Sequence, residues 1–194
     1  MAFNGDASVE TYVRNLGCRC RVAVETGTFQ AATTKFLSRV FEQVWSLEID
    51  LTNFAIASHV LRRSKNVTLV RGNSSETLPG VLDEILAKFP DEGVFFYLDA
   101  HWNDYWPLLD ELRAIAEFKN RHRSVICIDD VKVPGRPDIP FDSYQGHDLT
   151  LEYVKPVVDQ IYASYTYEYL VPVTNAERYH AKLVFTPADP GSHT

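Results

Sequence analysis

Cysteine is scarce in this sequence, with three residues in a chain of 194. They are Cys18, Cys20 and Cys127, and an odd number of cysteines cannot complete a disulfide framework. Cys127 lies in an apolar run, where a free thiol behaves as a small hydrophobic side chain. Cys18 and Cys20 lack a second Cys/His pair at zinc-site spacing, so we interpret them as structural. This pattern favours a reducing compartment, and we expect a cytoplasmic protein.

Long hydrophobic runs and clusters of basic residues are missing as well. No stretch of about 18 apolar residues without a charge occurs, and residues 1–20 do not join a basic start to an apolar core. We therefore expect neither a membrane partner nor an export signal. The formal net charge is −7 and the isoelectric point is about 5.3. Since nucleic acid is a polyanion, we do not expect it as a partner.

The size of the chain indicates one folded unit. A chain of 194 residues that is 45% hydrophobic can bury one substantial core. We predict a single domain over residues 1–187 and a flexible tail over residues 188–194. The oligomeric state is left open, with a homodimer as one expectation.

Short β-rich runs alternate with helical patterns along the chain. The predicted strands cover residues 21–25, 44–49, 66–70, 94–98, 124–128, 165–170 and 180–185, and the predicted helices cover 32–41, 51–63, 75–88, 106–119 and 149–162. Strict alternation of strand and helix favours a mainly parallel sheet with helices on both faces. The last two strands are joined by a short polar segment, so they should form an antiparallel pair at one edge. We predict a Rossmann-like α/β fold with a seven-stranded sheet.

Ligands in such sheets bind beyond the carboxyl ends of the strands. After the first predicted strand, Gly27 allows a close approach of the backbone, and the helix that follows offers free N–H groups to an anionic group. The dinucleotide pattern G-x-G-x-x-G is not met, because Phe29 and Ala32 occupy the later glycine positions. We therefore expect a carboxylate there and not a pyrophosphate. Glu48 ends the second strand, where it can accept hydrogen bonds from both hydroxyls of a ribose.

Four segments, in this order and spacing, resemble class I S-adenosylmethionine-dependent methyltransferases: Val24-Glu-Thr-Gly-Thr28, Ser46-Leu-Glu48, Arg71-Gly-Asn-Ser74 and Tyr97-Leu-Asp-Ala-His-Trp102. The resemblance implies S-adenosylmethionine as the cofactor of the predicted domain. The cofactor-binding residues that it implies are Glu25, Thr26, Gly27 and Thr28 around the methionine part, Glu48 at the ribose, Asn73 and Ser74 at the adenine, and Asp99. The chain departs from many members at Ala31, where a second glycine is common, and at Asn73, where an aspartate is common.

Three carboxylates end neighbouring strands, Asp99 after the fourth and Asp129 and Asp130 after the fifth. Hard oxygen ligands of this kind suit Mg²⁺. The arrangement is similar to a methyltransferase subgroup, of the macrolide and aminocoumarin type, that modifies sugar hydroxyls. The resemblance implies a Mg²⁺ ion on these three residues. In the alternative, Asp99 lies near the ammonium group of the cofactor, Asp130 caps a loop, and no metal binds.

His101 follows Asp99 by two residues, on the loop that should face the reacting methyl group. Because an imidazole titrates near neutral pH, His101 can remove the proton of an acceptor hydroxyl, and we predict His101 and Asp99 as catalytic residues. Aromatic side chains stack on sugar rings or phenols through their faces. The side chains that we expect around the acceptor are Trp102, Tyr105, Tyr144 and His147.

These features together predict an O-methyltransferase that acts on a hydroxyl of a sugar or glycan. Two alternatives stay open at this point. A nicotinamide-dependent oxidoreductase would use Glu48 on the ribose, although the absent glycines count against it. A cofactor-binding module without catalysis is suggested by Ala31 and Asn73.

Overall fold

A seven-stranded sheet lies at the centre of the computed structural model. The structure describes residues 2–17, 19–101, 105–172 and 180–188. The strands are β1 (Val22–Thr26), β2 (Gln43–Glu48), β3 (Val67–Arg71), β4 (Val94–Leu98), β5 (Val125–Val131), β6 (Ser143–Tyr144), β7 (His147–Asp148), β8 (Tyr165–Leu170) and β9 (Ala181–Pro187). The order across the large sheet is β3-β2-β1-β4-β5-β9-β8. Neighbours among β1 to β5 run parallel, and β9 is antiparallel to β5 and β8. The predicted Rossmann-like sheet with an antiparallel edge pair is confirmed.

Helices cover both faces of this sheet. They are α1 (Ala7–Leu16), α2 (Ala32–Val40), α3 (Leu51–Leu61), α4 (Ser74–Lys88), α5 (Leu108–Glu117) and α6 (Leu151–Ile161). Successive residues of a strand point to opposite faces, so Val22 and Val24 pack with α4, α5 and α6, whereas Ala23 packs with α1 and α2. Full burial of a valine side chain stabilises the fold by about 1.5–3 kcal/mol. Within the described ranges, no helix is both long enough and apolar enough to cross a membrane.

One helix was not predicted from the sequence, and another begins later than predicted. The helix α1 was not predicted, although Val9, Val13 and Leu16 form its buried stripe at helical spacing. The Asp6 carboxylate begins this helix by accepting hydrogen bonds from the backbone N–H groups of its first turn. The helix α5 begins at Leu108 and not at residue 106, because a residue that precedes proline, here Trp106, is disfavoured in helical conformation.

The hairpin of β6 and β7 was also not predicted, because its two-residue strands carry almost no alternation. Its turn consists of Gln145 and Gly146, which have φ angles of +52° and +82°. Two consecutive left-handed residues are typical of the tightest hairpin turns. The hairpin turns back the long connection between β5 and α6.

The chain order reverses between β1 and β4. From β1 the chain adds β2 and β3 on one side, and β4 and β5 lie on the other side. The register places Thr26 level with both Leu47 and Leu98. The residues that follow these three positions therefore meet at one edge of the sheet, which is where open α/β sheets bind their ligands.

Candidate functional site

A cavity of about 490 Å³ opens at this edge. Its volume lies within the range of about 300–1,000 Å³ that is usual for small-molecule sites. The described residues that line it are Gly27, Phe29, Leu47, Glu48, Ile49, Asn53, Gly72, Asn73, Ser74, Asp99, Ala100, His101, Tyr105, Pro107 and Asp130. Eight of the residues singled out in the sequence are among them: Gly27, Glu48, Asn73, Ser74, Asp99, His101, Tyr105 and Asp130.

Gly27 forms the floor of the cavity. Its φ angle is +82°, and its N–H donates to the Leu47 carbonyl at 3.0 Å. A Cβ atom at this position would lie 2.5 Å from the Asp99 carbonyl oxygen, so only glycine fits. The loop that follows has two further left-handed residues, Phe29 at +48° and Ala31 at +62°. This conformation costs a residue other than glycine about 1–2 kcal/mol.

The Glu48 carboxylate is buried and held in one orientation. One of its oxygens accepts a hydrogen bond from the Phe29 N–H at 2.7 Å, and the other accepts one from the Asp50 N–H at 2.8 Å. A carboxylate oxygen has two lone pairs, so each oxygen can accept a second hydrogen bond from a ligand. A carboxylate fixed in this way is suited to bind two neighbouring hydroxyl groups.

Two large apolar side chains stand exposed at the mouth of the cavity. Phe29 is 62% exposed and Ile49 is 42% exposed. Exposed apolar groups beside a cavity are typical of a surface that a ligand covers. Phe29 and Ile49 therefore offer a ligand an apolar surface next to Glu48.

The amino end of α4 forms the opposite wall. The Asn73 side-chain oxygen accepts a hydrogen bond from the Ser75 N–H at 3.2 Å and caps the helix, and Ser74 is buried directly after it. The Tyr105 hydroxyl lies 2.9 Å from the Ser75 hydroxyl. Tyr105, which we expected beside the acceptor, therefore lies at the wall of the cavity that Asn73 forms.

Three residues expected at the cofactor point away from the cavity. The Glu25 carboxylate is buried on the opposite face of the sheet, where it accepts hydrogen bonds from the hydroxyls of Thr34 and Ser46, each at 2.5 Å. Burial raises the pKa of Glu25 to about 7, and the two hydroxyls oppose that rise. The Thr28 hydroxyl lies 2.6 Å from the Ser46 hydroxyl, and the Thr26 hydroxyl is buried in the interior. None of these three residues is among the described residues that line the cavity.

Asp99, His101 and Asp130 converge at the inner end of the cavity. One ligand atom from each lies within 4.8 Å of the others. Burial raises the pKa of Asp99 well above its ordinary value, and the neighbouring carboxylates of Asp129 and Asp130 raise it further. A cation next to Asp99 would stabilise its ionised form.

A distortion in β5 directs Asp130 into this cluster. The pairing register with β9 shifts between Ile128 and Val131, and Asp130 has a φ angle of +58°. Its carbonyl accepts a hydrogen bond from the Asp142 N–H at 2.9 Å, and its carboxylate contacts the His180 ring. Left-handed residues other than glycine persist only where their surroundings hold them, and they are frequent at functional sites.

Asp129 does not join Asp99 and Asp130 as the sequence suggested. Its carboxylate forms a buried ion pair with Lys182 and accepts a hydrogen bond from the Tyr97 hydroxyl. Burial alone would raise the pKa of Asp129, but the Lys182 ammonium group and these hydrogen bonds lower it below its usual range. The structure thus brings two of the three expected metal ligands together and adds His101 to them.

Aromatic rings form a wall beside His101. The centroid of the Trp106 ring lies 4.9 Å from that of Tyr144 and 5.3 Å from that of Tyr153. Tyr144 also lies 6.2 Å from His101, and His147 lies 5.7 Å from Tyr153. Two of the residues expected at the acceptor, Tyr144 and His147, therefore belong to one aromatic group, while Trp102 lies outside the described residues.

Several residues at or below the site were not singled out in the sequence. Phe29, Ile49 and Asn53 line the cavity. In the sequence, only their positions shortly after the ends of β1 and β2 indicate that they lie at the site. Glu111 had a clearer signal, because an acidic residue lies three positions after Leu108 and four before Ile115, on the apolar stripe of α5.

Comparison with known proteins identifies the fold. The methyltransferase domain of bacterial CtHen1 superposes with a TM-score of 0.59 at 13% identity, covering 94% of this chain and 99% of that domain. An rRNA methylase from Streptococcus thermophilus gives 0.56 at 9% identity, covering 94% and 95%. Mitomycin 7-O-methyltransferase MmcR gives 0.58 at 13% identity, covering 94% of this chain and 55% of MmcR. No protein-family model and no curated protein sequence matches the chain. The chain therefore has the Rossmann-like fold of S-adenosylmethionine-dependent methyltransferases.

Proposed function

We propose that this protein is an S-adenosylmethionine-dependent O-methyltransferase that acts on a hydroxyl of a sugar or glycan. The observation that carries the proposal is the acid-lined cavity at the ends of β1, β2 and β4. There Gly27 lies against the backbone of Asp99, and Glu48 offers a carboxylate that two backbone N–H groups hold. The methyltransferase fold of the structural neighbours supports the same cofactor.

The charge of the cavity favours this cofactor over a dinucleotide. Glu48, Asp99 and Asp130 line it, and no lysine or arginine is among its described lining residues. S-adenosylmethionine carries a sulfonium and an ammonium group, and carboxylates stabilise both cations. The pyrophosphate of a nicotinamide dinucleotide would face the same carboxylates without a basic partner. The lining charges therefore favour a methyltransferase over the oxidoreductase alternative.

The proposed binding mode follows the cavity from one end to the other. The adenine lies between Ile49 and the amino end of α4, near Asn73 and Ser74. The ribose hydroxyls donate to Glu48. The methionine part lies over Gly27, which directs the sulfonium toward Asp99 and His101.

S-adenosylmethionine supplies an electrophilic methyl group, which an oxygen nucleophile takes up in line. In the proposed reaction His101 accepts the proton of the acceptor hydroxyl while the new C–O bond forms and the C–S bond breaks. The products are a methyl ether, S-adenosylhomocysteine and a protonated imidazole, which releases its proton to solvent. General-base help of this kind contributes about 10²–10⁴ to the rate.

The acceptor class is inferred from the aromatic wall next to His101. Trp106 and Tyr153 stack on each other, and Tyr144, which lies next to His101, is the ring of this group that we propose stacks on the apolar face of a sugar ring. The net charge of −7 disfavours RNA, which would need a basic surface. A small-molecule or glycan hydroxyl is the acceptor that these features support. The cytoplasmic location and the homodimer stay predictions.

Binding of a divalent cation is a second role that the cluster of Asp99, His101 and Asp130 supports. Two carboxylates and an imidazole within 4.8 Å of one another can hold Mg²⁺ or Mn²⁺. Such an ion would orient an acceptor with vicinal hydroxyls and make its proton easier to remove. His101 would then act as a ligand and not as the base, so the two roles predict different responses to EDTA.

Calorimetry and a transfer assay test the proposal. S-adenosylhomocysteine should bind to the purified protein and NAD should not, and the opposite result would support an oxidoreductase. Radiolabelled S-adenosylmethionine should then label sugars more than phenols or RNA. Activity that persists in EDTA and is lost in His101→Ala assigns the proton to His101, whereas activity that EDTA removes and Mg²⁺ restores assigns the cluster to a metal. Binding of S-adenosylhomocysteine without labelling of any acceptor would favour the non-catalytic module.

A further inference from the structure

Glu111 is a fully buried acid in α5 that the proposed reaction does not use. Its exposed fraction is 0%, and neither carboxyl oxygen has a hydrogen-bond partner among the described residues. The Thr26 hydroxyl is also buried without a partner in the described part of the chain. Unpaired polar groups in a protein interior are rare, and each calls for a structural or functional reason.

The residues that face Glu111 belong to the two segments that form the cofactor cavity. Thr26 is the last residue of β1 and directly precedes Gly27, and Ser74 begins α4 and lines the cavity. Burial raises the pKa of Glu111 to about 7, and the hydroxyls of Ser74 and Thr26 oppose that rise. Both hydroxyls therefore lie near the carboxyl group, which places Glu111 between the end of β1 and the start of α4.

We propose that Glu111 is a positioning residue of the cofactor site, which in its neutral acid form joins the hydroxyls of Thr26 and Ser74. A neutral carboxyl group can donate one hydrogen bond and accept others, so it can pair with both hydroxyls at once. The pairing holds the Gly27 turn and the amino end of α4 at the separation that receives the adenosyl group. The cofactor in this proposal rests on the proposed function, whereas the link between the two segments does not.

The charged groups around Glu111 favour its neutral form. Asp110 precedes it on α5, and the small cavity that Glu111 lines between α5 and the ends of β4 and β5 also contains Asp99, Asp129, Asp130, Asp142 and His101. No lysine or arginine is among the described residues that line this cavity. An ionised Glu111 would add a negative charge next to other carboxylates. The two hydroxyls can donate to an ionised carboxylate, but its charge would lie in the interior without a cation beside it, so water would have to enter to solvate it and would loosen the contact between the two segments.

The experiment compares Glu111→Gln, Glu111→Leu and the control Glu117→Gln, which changes an exposed acid on the same helix. Amide hydrogen exchange of the unliganded protein reports on residues 26–31 and 72–77, and calorimetry with S-adenosylhomocysteine at pH 6 and pH 8 reports on affinity. Glu111→Leu should speed exchange in both segments and raise the Kd, each by about tenfold or more, the loss expected for a broken buried network. Glu111→Gln, which keeps a donor and an acceptor, should stay within about threefold of the native protein at pH 6. The native Kd should rise between pH 6 and pH 8, and that rise should be smaller in Glu111→Gln.

Three results would contradict the role of Glu111 as a positioning residue. Exchange and affinity of Glu111→Leu equal to those of the native protein would overturn it. Faster exchange throughout the chain in this variant would assign Glu111 to the general stability of the fold. If Glu111→Leu does not fold, Thr26→Val removes a partner hydroxyl at nearly constant shape, and unchanged exchange in that variant would likewise overturn the proposal. A native protein that binds no S-adenosylhomocysteine refutes the proposed function, while the exchange data still decide whether Glu111 links the two segments.

Discussion

The backbone of Gly27 lies directly against the backbone of Asp99, close enough that a Cβ atom on the glycine would be 2.5 Å from the Asp99 carbonyl oxygen. The contact joins the end of β1 to the end of β4, where the chain order of the sheet reverses. The Asp99 N–H also donates a hydrogen bond to the Thr26 carbonyl at 3.2 Å, so two contacts hold the ends of these strands together. The Gly27 turn and the loop that follows β4 are therefore one packed unit.

The substitution Gly27→Ala should disrupt this unit. Its φ angle of +82° costs an alanine about 1–2 kcal/mol before the clash with Asp99 is counted. We expect a loss of stability of at least that size and a Kd for S-adenosylhomocysteine raised by tenfold or more, measured by urea denaturation and calorimetry. Gly80→Ala is the control, since nothing lies within 4 Å of a Cβ there, and in a helix it should stabilise by about 0.5–1 kcal/mol. Normal binding by Gly27→Ala would show that no ligand lies over the turn.

Glu48→Gln should weaken cofactor binding without unfolding the protein. An amide places an NH₂ group opposite the N–H of either Phe29 or Asp50, and it removes the charge from the ribose hydrogen bonds. Hydrogen bonds to a charged group contribute about 1.5–3 kcal/mol, so we expect a Kd raised by about 10–150-fold. Calorimetry measures it, with the exposed Asp83→Asn as the control. An unchanged Kd would remove Glu48 from the ribose.

His101→Ala should lower turnover by at least about tenfold, because general-base catalysis contributes 10²–10⁴ in rate. The affinity for S-adenosylhomocysteine should change little, since the turn at Gly27 and the Glu48 carboxylate stay intact. The labelling assay measures the first quantity and calorimetry the second. His122→Ala changes an exposed residue just before β5, and it should leave both turnover and affinity unchanged. Native turnover in His101→Ala would exclude His101 as the base.

Lys182→Met should destabilise the fold strongly. Lys182 is 1% exposed and pairs with Asp129 inside the sheet, so its removal leaves an uncompensated buried carboxylate. Such a change costs about 3–5 kcal/mol. The double variant Lys182→Met with Asp129→Asn should be more stable than the single variant, because the buried charge is gone. Urea denaturation of the four proteins of this cycle measures the coupling, and strictly additive losses would show that the pair does not interact.

Glu25 should make stability depend on pH near neutrality. Its pKa is about 7 in the folded protein against 4.5 for the unperturbed group. Since the folded value is the higher one, its contribution to stability is fully present below pH 4.5 and is lost as the pH rises through 7. At 1.36 kcal/mol per pKa unit the loss is at most about 3 kcal/mol. Urea denaturation at pH 5 and pH 8 should show a smaller decrease in Glu25→Gln than in the native protein, and equal decreases would contradict the assignment.

The sheet was predictable from the sequence because its signals are local. Continuous apolar runs such as residues 94–98 identify buried strands, and the short polar segment before β9 identifies the antiparallel edge. The positions of Gly27, Glu48 and Asp99 at three neighbouring strand ends follow from the same alternation. The helix α1 and the hairpin of β6 and β7 were missed, because the first buries only three residues and the strands of the second are only two residues long.

The directions of the side chains at the strand ends could not be predicted in the same way. Asp129 and Asp130 are neighbours in sequence, but a shift of register in β5 turns the first toward Lys182 and the second toward His101. Neither Lys182 nor His180 is close to them in sequence, so no local pattern indicates the partners.

By itself the sequence determined the order of strands and helices, the need for glycine at position 27 and the residues that reach one edge of the sheet, since these depend on the chain within a few residues. Only the tertiary structure decided which of those residues enter the cavity, that Glu25 faces the other side of the sheet, and that Glu111 is buried near Thr26 and Ser74. A side chain's surroundings are set by elements distant in sequence, and burial among them determines its charge and its partners.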